Sequence, residues 1–203
     1  MSRPEGWAAD RFLDEAQMRE LAVLPTSQEG ASAGEAPPRV ARPHIRKREA
    51  YDSADLLALF NEPDFLERAL MRDRFVNPEQ LEQWLAGIVA ARRIEIVLEW
   101  DGRCVGFGAV YAQGEHFDHC GVLMLGVSSA SRGRAFGQTL LVALLQASTR
   151  CLRLKKIQLT VLTDNVPAIN LYRKNGFVCE GVLRRFVRRG NRYADAYAMA
   201  FLP

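Results

Sequence analysis

The spacing of apolar side chains switches several times along the chain between the period of a helix and that of a strand. Over 77–89, apolar residues recur at i, i+3, i+4, i+7 and i+8, the pattern of a helix with one buried face. An Asn-Pro pair opens this segment, as is usual at a helix start. Similar patterns predict helices over 52–61, 135–151 and 165–174.

Alternating or short continuous apolar runs predict seven strands: 45–49, 94–100, 103–112, 119–127, 156–162, 177–187 and 192–201. Asp101-Gly102, a favoured two-residue turn, predicts a hairpin between the second and third strands. Asn175-Gly176 predicts a left-handed end to the last helix. The run over 119–127 is largely apolar and is expected at the centre of the sheet. The order predicts an α/β protein, a mixed sheet of about seven strands flanked by about four helices.

The first 43 residues differ in composition from the rest. An amphipathic pattern predicts a short helix over 11–24, and residues 25–43 are rich in Pro, Gly, Ala and Ser, which indicates a linker. We therefore expect an N-terminal extension over 1–43 and one folded domain over 44–203. No run approaches the ~20 apolar residues of a membrane helix, and acidic residues precede any apolar run, unlike a secretory signal. We expect a cytoplasmic protein without a membrane partner.

Charge and cysteine content limit the partners. The net charge is +3, too small to indicate nucleic-acid binding. The first 44 residues lean acidic, so the remainder is more basic and favours an anionic ligand. The four cysteines form no CxxC pair and the three histidines complete no zinc spacing, so no metal is expected. Buried free thiols are the simpler expectation for the cysteines.

The segment 123–141, LMLGVSSASRGRAFGQTLL, is the most informative chemically. A buried strand is predicted to end near Val127, and after a polar turn a helix is predicted to begin near Ala135. Such a loop directs unpaired backbone N–H groups at one point, where the helix dipole adds about half a positive charge. The turn supplies small residues that admit a phosphate and arginines that attract it: Gly133, Ala135, Gly137, Arg132 and Arg134. From the loop alone, anion binding and simple packing remain equal alternatives.

Two other phosphate motifs are excluded. A Walker loop has four residues between its glycines and then a lysine, whereas Gly133 and Gly137 are separated by three and no lysine follows. The pair Gly106 and Gly108 begins no dinucleotide fingerprint, because Tyr111 stands where the third glycine would be.

The loop resembles the coenzyme loop of the Gcn5-related N-acetyltransferases (GNAT), (R/Q)-x-x-G-x-(G/A), which here runs from Arg132 to Gly137. Ala135 stands where the family usually has Gly, a departure of one methyl group. The segment 164–185 resembles the family's N-x-x-A-x-x-L-Y-x-K-x-G-F-x-x-E-G pattern. The segment 190–199 resembles the G-x-Y-x-D-x-x-x-M ending of its ribosomal-protein and small-amine branches. The resemblance covers about 44–203, and within the family it is nearest to bacterial L-amino-acid N-acetyltransferases.

The resemblance implies the acyl-CoA N-acyltransferase fold and direct transfer of an acetyl group from acetyl-CoA to a primary amine, without an acyl-enzyme. It places Tyr172 as the acid that serves the departing sulfur, seven residues after Asn165, whereas spacing alone favours a plain core residue. A backbone N–H near Leu125 to Val127 would polarise the acetyl carbonyl. Gly126 would ease a local bulge, and close packing is the equal alternative for this glycine. The residues expected to contact the coenzyme are Leu125, Gly126, Val127, Arg132, Gly133, Arg134, Ala135, Phe136, Gly137, Gln138 and Asn165. For Asn165, a helix N-cap is the alternative role.

The general base stays open. Some relatives place an acid on the fifth or the central strand, where this chain has Thr160 and Val122. Substitutes in this chain would be Glu95, Glu99, Glu115, Asp118 and His119. Because no acid stands at either of these two positions, the sequence favours an α-amine acceptor, with a pKa of about 8, over a lysine side chain.

We therefore expect a small-molecule acceptor, a free amino acid or another small amine. Protein N-termini and polyamines are the alternative acceptors. A non-catalytic acyl-CoA-binding module is the alternative of another class, and a homodimer is a further alternative to a monomer.

Overall fold

A computed structural model of the chain describes residues 43–68, 74–88, 90 and 92–203. The predicted helix over 11–24 and nearly all of the predicted extension over 1–43 lie outside this part. The described strands are β1 (His44–Lys47), β2 (Arg93–Trp100), β3 (Arg103–Ala112), β4 (Cys120–Val127), β5 (Lys156–Leu162), β6 (Val178–Arg189) and β7 (Arg192–Phe201). The described α-helices are α1 (Ser53–Phe60), α2 (Pro63–Arg68), α3 (Pro78–Gly87), α4 (Phe136–Arg150) and α5 (Val166–Lys174).

The predicted mixed sheet is confirmed. Its seven strands lie in the order β1-β2-β3-β4-β5-β7-β6, so β4 is central as expected. The β4–β5 pair is parallel and the other neighbours are antiparallel. The hairpin at Asp101-Gly102 is confirmed as well, since both residues have the positive φ angles (52° and 71°) that its turn requires.

The described residues include one helix more than the roughly four expected. The short helix α2 follows Asn61 and starts with Pro63, which suits the first turn of a helix. Only one of its residues, Phe65, is a buried apolar side chain. An apolar stripe needs at least two turns to be visible in a sequence, so α2 left no periodic signal.

Two apolar cores cover the two faces of the sheet. Helices α4 and α5 pack on one face, around Leu140, Leu144 and Ile169. Helices α1, α2 and α3 pack on the other, around Phe60, Leu81 and Phe107. Among the described helices, none is long and apolar enough to cross a membrane.

Candidate active site

Strands β4 and β5 diverge, and this opens the sheet at its centre. Their parallel pairing covers only three residue pairs, from Cys120 with Lys156 to Val122 with Gln158. Beyond these pairs β4 continues to Val127 and β5 to Leu162 without pairing each other. A cavity of about 670 Å³ lies at the divergence and is lined from both strands, from the loop before α4 and from α5.

The hydrogen bonds at the two ends of β4 show which of its backbone groups face the gap. At one end Gln113 N donates to Cys120 O (2.9 Å), and at the other Ser128 N donates to Val105 O (2.8 Å). The β3–β4 register runs between these points without a shift. Backbone N–H and C=O groups alternate in direction along a strand, so those of the even-numbered residues of β4 point toward β3. Leu125 and Val127 therefore direct their N–H groups into the gap.

Of the two roles expected for Gly126, the structure supports close packing and not a bulge. No bulge interrupts the β3–β4 register at this residue, and its N–H faces β3 by the same alternation. A Cβ at Gly126 would lie 1.9 Å from Cε2 of Phe65. The glycine is therefore required because the Phe65 ring lies directly on the strand at the edge of the cavity.

The loop before α4 presents a row of backbone amides. Two amides of the loop are already paired within it: Ser131 N donates to Ser128 O, and Arg132 N donates to Ser129 O. The first intrahelical bond is from Thr139 N to Ala135 O (3.0 Å). Within the described part of the chain, the six amides from Gly133 to Gln138 have no acceptor. They lie at the positive end of a fifteen-residue helix, which makes this an anion-binding position.

Ala135 is more strained than the sequence suggests. It is the N-cap of α4, which begins one residue later than expected, and it has a left-handed conformation (φ 60°, ψ 11°). A left-handed residue with a Cβ costs about 1–2 kcal/mol relative to the ordinary region. The methyl group of Ala135 therefore destabilises the folded state relative to a glycine at this position.

The two arginines of the loop separate. Arg132 lines the cavity, and its guanidinium pairs with Asp64 of α2. The Asp64 carboxyl also accepts from Arg68 Nε (2.7 Å), and the hydrogen bonds from Arg68 and Arg132 lower the pKa of Asp64. Arg134, expected at the coenzyme, is not among the lining residues; its guanidinium carbon lies 5.6 Å from the ring centroid of Trp100.

Of the twelve residues predicted for the site, all but Arg134 line the cavity. Gln138 is held by Asn175 through two amide hydrogen bonds (2.7 and 2.9 Å). Asn165 caps α5, since its side-chain oxygen accepts from Ala168 N (3.4 Å), and it also lines the cavity. Its two predicted roles are thus compatible in space.

Tyr172 lies on α5 against the same cavity. Its side chain is 8% exposed, and its ring packs against Phe177 with centroids 5.5 Å apart. Burial raises the pKa of Tyr172 to about 12. Among the described residues the hydroxyl has no hydrogen-bond partner, so its proton is free for a ligand.

The opposite face of the gap supplies further residues, of which the sequence had singled out only Val122 and Thr160. Phe65, Arg68 and Tyr111 line the cavity together with Val122, Met124 and Thr160. They come from α2, β3, β4 and β5, so no single segment contains a recognisable pattern. The cavity therefore reaches both faces of the sheet, with Tyr172 on one side and Tyr111 on the other.

The five candidates for a general base differ in position. Glu95 reaches a lining residue, because its Oε1 accepts from the Tyr111 hydroxyl (3.3 Å). Glu99 pairs with Arg46 (2.9 Å). Glu115, Asp118 and His119 are exposed and precede β4. None of the five lines the cavity directly.

The cysteines do not contribute a nucleophile. Cys104 and Cys120 are buried as expected, but Cys151 is partly exposed and Cys179 is exposed. Burial raises the pKa of the Cys104 thiol to about 12. All four lie in the described part of the chain, and none lines the cavity.

The fold and the site define a class of α/β protein in which the central sheet divides beside the N-terminus of a helix with unpaired backbone amides. The model of the Acetyltransferase (GNAT) family matches residues 56–177. The match spans more than half of the chain, and the chain belongs to this family of acetyltransferases.

Individual relatives agree with this assignment. The chain is 38% identical over 74 residues to the L-amino acid N-acetyltransferase AaaT of Escherichia coli K12, a match over 36% of this chain and 46% of that protein. It thus spans less than half the length of this curated relative. The crystal structure of ribosomal-protein-alanine N-acetyltransferase from Brucella melitensis has a TM-score of 0.69 and 28% identity, over 78% of this chain and 99% of that one. Spermidine N-acetyltransferase from Vibrio cholerae, in complex with CoA and spermine, shares the fold (TM-score 0.69, 23% identity, 79% and 95% covered).

Proposed function

We propose that the protein transfers an acetyl group from acetyl-CoA to the primary amine of a small molecule, with a free amino acid as the leading acceptor class. The observation that carries this proposal is the cavity across the β4–β5 gap. It joins the row of partner-free amides at α4 to the opposite face of the sheet, so an acyl donor and an amine can meet inside it.

The residues present fit acetyl-CoA. Six amides with no acceptor in the described chain suit the oxygens of a diphosphate, and Arg132 adds a positive charge beside them. Gly133 and Gly137 leave the approach open, since a Cβ at Gly133 would meet nothing within 4 Å and one at Gly137 would meet Leu171 only at 3.4 Å. The coenzyme would supply an activated thioester.

The chain's own groups then act at two atoms of the thioester. The N–H groups of Leu125 and Val127 point into the gap, where either can donate to the acetyl carbonyl oxygen and stabilise its negative charge during attack. The free Tyr172 hydroxyl can donate to the sulfur as the C–S bond breaks. With no cysteine in the cavity, the amine attacks the acetyl carbon directly.

The acceptor class is inferred from the other side of the gap. Apolar and neutral side chains dominate there (Phe65, Val122, Met124 and Thr160), beside one cation, Arg68, and no Asp or Glu is among the lining residues of the described part of the chain. A polyamine, which carries several positive charges, would bring them into a pocket without a counter-charge. An α-amine with a pKa near 8 needs little help to lose its proton. The likeness to AaaT, an L-amino acid N-acetyltransferase, points the same way.

The test is a panel of acceptors. Release of CoA is measured with free amino acids, polyamines and short peptides that begin with alanine, the last because of the likeness to a ribosomal-protein-alanine N-acetyltransferase. Turnover with free amino acids, at a kcat/KM at least tenfold above the other classes, is expected. If acetyl-CoA raises the unfolding temperature but no amine is acetylated, the protein is a binding module and the proposal is wrong.

A further inference from the structure

The two tyrosines of the cavity differ in what their hydroxyl groups can offer a ligand. We propose that the Tyr111 hydroxyl accepts a hydrogen bond from the acceptor amine and directs its lone pair at the thioester, with Glu95 as the positioning residue that keeps Tyr111 in this role. The inference rests on the proposed function and assigns the amine side of the same cavity.

Register places Tyr111 beside Val122 at the wall of the cavity. It is the cross-strand partner of Val122, and partners on neighbouring strands project to the same face with Cβ atoms about 5 Å apart. Both residues line the cavity, and Tyr111 packs in the core on the face opposite to that of Tyr172. Val122 is the position where some relatives carry an acid, so a polar group of this chain in that neighbourhood comes from the adjacent strand instead.

Glu95 determines the direction of the Tyr111 proton. The hydroxyl lies 3.3 Å from Glu95 Oε1, and a carboxylate can only accept. Glu95 is held in place by Arg48 Nε (2.8 Å) and Arg93 Nη1 (3.7 Å). Since Tyr111 gives its one proton to Glu95, the lone pairs of its oxygen remain for an N–H donor. Burial, together with the Glu95 charge, raises the pKa of Tyr111, so the phenol stays neutral.

Tyr172 has the complementary arrangement. Its hydroxyl has no acceptor among the described residues, so it keeps a proton for the sulfur. As the C–N bond forms and the C–S bond breaks, the amine loses one proton to solvent. The thiolate leaves with a hydrogen bond from Tyr172 and takes its proton from solvent, so Tyr172 keeps its own. One hydroxyl accepts from the nucleophile while the other donates to the leaving group. The difference follows from two observations: Tyr111 donates to Glu95, and the Tyr172 hydroxyl has no acceptor among the described residues.

The experiment compares Tyr111→Phe with Tyr51→Phe in the full-length protein. Tyr51 is 72% exposed, and a phenyl ring there keeps the contact with Arg46 (4.9 Å to the ring centroid), so this control should behave as the parent. For Tyr111→Phe, kcat/KM for the amine should fall about 10- to 100-fold, the range of one strong hydrogen bond. KM for acetyl-CoA should stay within about twofold. Glu95 keeps both arginines, so the fold should persist.

Glu95→Gln is the second variant. Its amide can donate as well as accept, so the Tyr111 proton is released part of the time and a smaller loss, about 3- to 10-fold, is expected for the amine alone. A parental kcat/KM for the amine in Tyr111→Phe, or in Glu95→Gln should the first variant not fold, would overturn the inference. An equal rise of KM for acetyl-CoA would overturn it too, by showing a structural role. Failure of the parent to acetylate any amine would refute the proposed function instead.

Discussion

Replacing Tyr172 with phenylalanine removes a single oxygen from the cavity wall. The ring contact with Phe177 remains, and no hydrogen bond with a described residue is lost. Stability should therefore change by less than about 1 kcal/mol. The rate of acetyl transfer should fall because the departing sulfur loses its donor.

The pKa of Tyr172 sets the size and the nature of this effect. Burial favours the neutral phenol and raises its pKa to about 12, whereas a thiol has a pKa of about 8.5. Complete proton transfer from the phenol to a thiolate is then uphill by about 3.5 units, or about 5 kcal/mol. Under the proposed function we therefore expect Tyr172 to act as a hydrogen-bond donor while charge develops on sulfur. Removing one such donor lowers kcat about 10²- to 10³-fold.

The assay follows free CoA with a thiol reagent at saturating acetyl-CoA and amine, beside Tyr51→Phe as the matched control. Affinity for acetyl-CoA should stay within about threefold of the parent, because the coenzyme is held at the α4 amides. The parental rate should rise with pH as the amine deprotonates near pH 8, and no loss due to Tyr172 should occur below about pH 11. An unchanged kcat, with no pre-steady-state burst to indicate slow product release, would refute the role of Tyr172.

Three further changes test the cavity walls. Gly126→Ala places a Cβ against Phe65 and should destabilise the protein by about 1–3 kcal/mol in thermal unfolding, with partial rescue by Phe65→Leu. Ala135→Gly should raise the free energy of unfolding by up to about 1 kcal/mol, because the left-handed strain exceeds the entropy that glycine adds to the unfolded chain. Ala135→Val should lower the free energy of unfolding. Asp64→Asn should strengthen acetyl-CoA binding a few-fold in calorimetry, because it frees the half-exposed Arg132 and removes a negative charge beside the diphosphate position. Weaker binding in Asp64→Asn would instead show that this pair holds Arg132 in place.

Local chemistry explains which elements the sequence predicted. The hairpin at Asp101-Gly102 needs two positive φ angles in succession, and few residue pairs other than Asp-Gly adopt them readily. The end of α5 is similar, since Gly176 has φ 87°. The helix α2 has no comparable turn or capping signal in the sequence. Its position depends on the Phe65 ring, which fills the space left by the missing side chain of Gly126. Such a tertiary contact has no counterpart in sequence spacing.

The site divides in the same way. The anion-binding half consists of consecutive backbone amides and small residues, so one stretch of sequence contains it. The acceptor half draws on separate elements, and Tyr111 meets Glu95 only because β2 and β3 pair. The sequence could not show which loop arginine lines the cavity, because the Trp100 ring that Arg134 contacts lies on the distant strand β2.

Strand β4 couples the two halves of the cavity. Its odd-numbered residues direct N–H groups into the gap, where the carbonyl of a thioester would lie. The side chains of its even-numbered residues project to the other face of the sheet, where Val122 lies beside Tyr111 and Gly126 lies beneath Phe65. Helix α2 holds Phe65 there and is itself tied to the coenzyme loop, since Glu62, which precedes α2, accepts from Ser129 N (2.8 Å). Because one strand and one short helix contact both sides of the cavity, we expect a substitution that breaks the Glu62–Ser129 contact to affect KM for the amine as well as for acetyl-CoA.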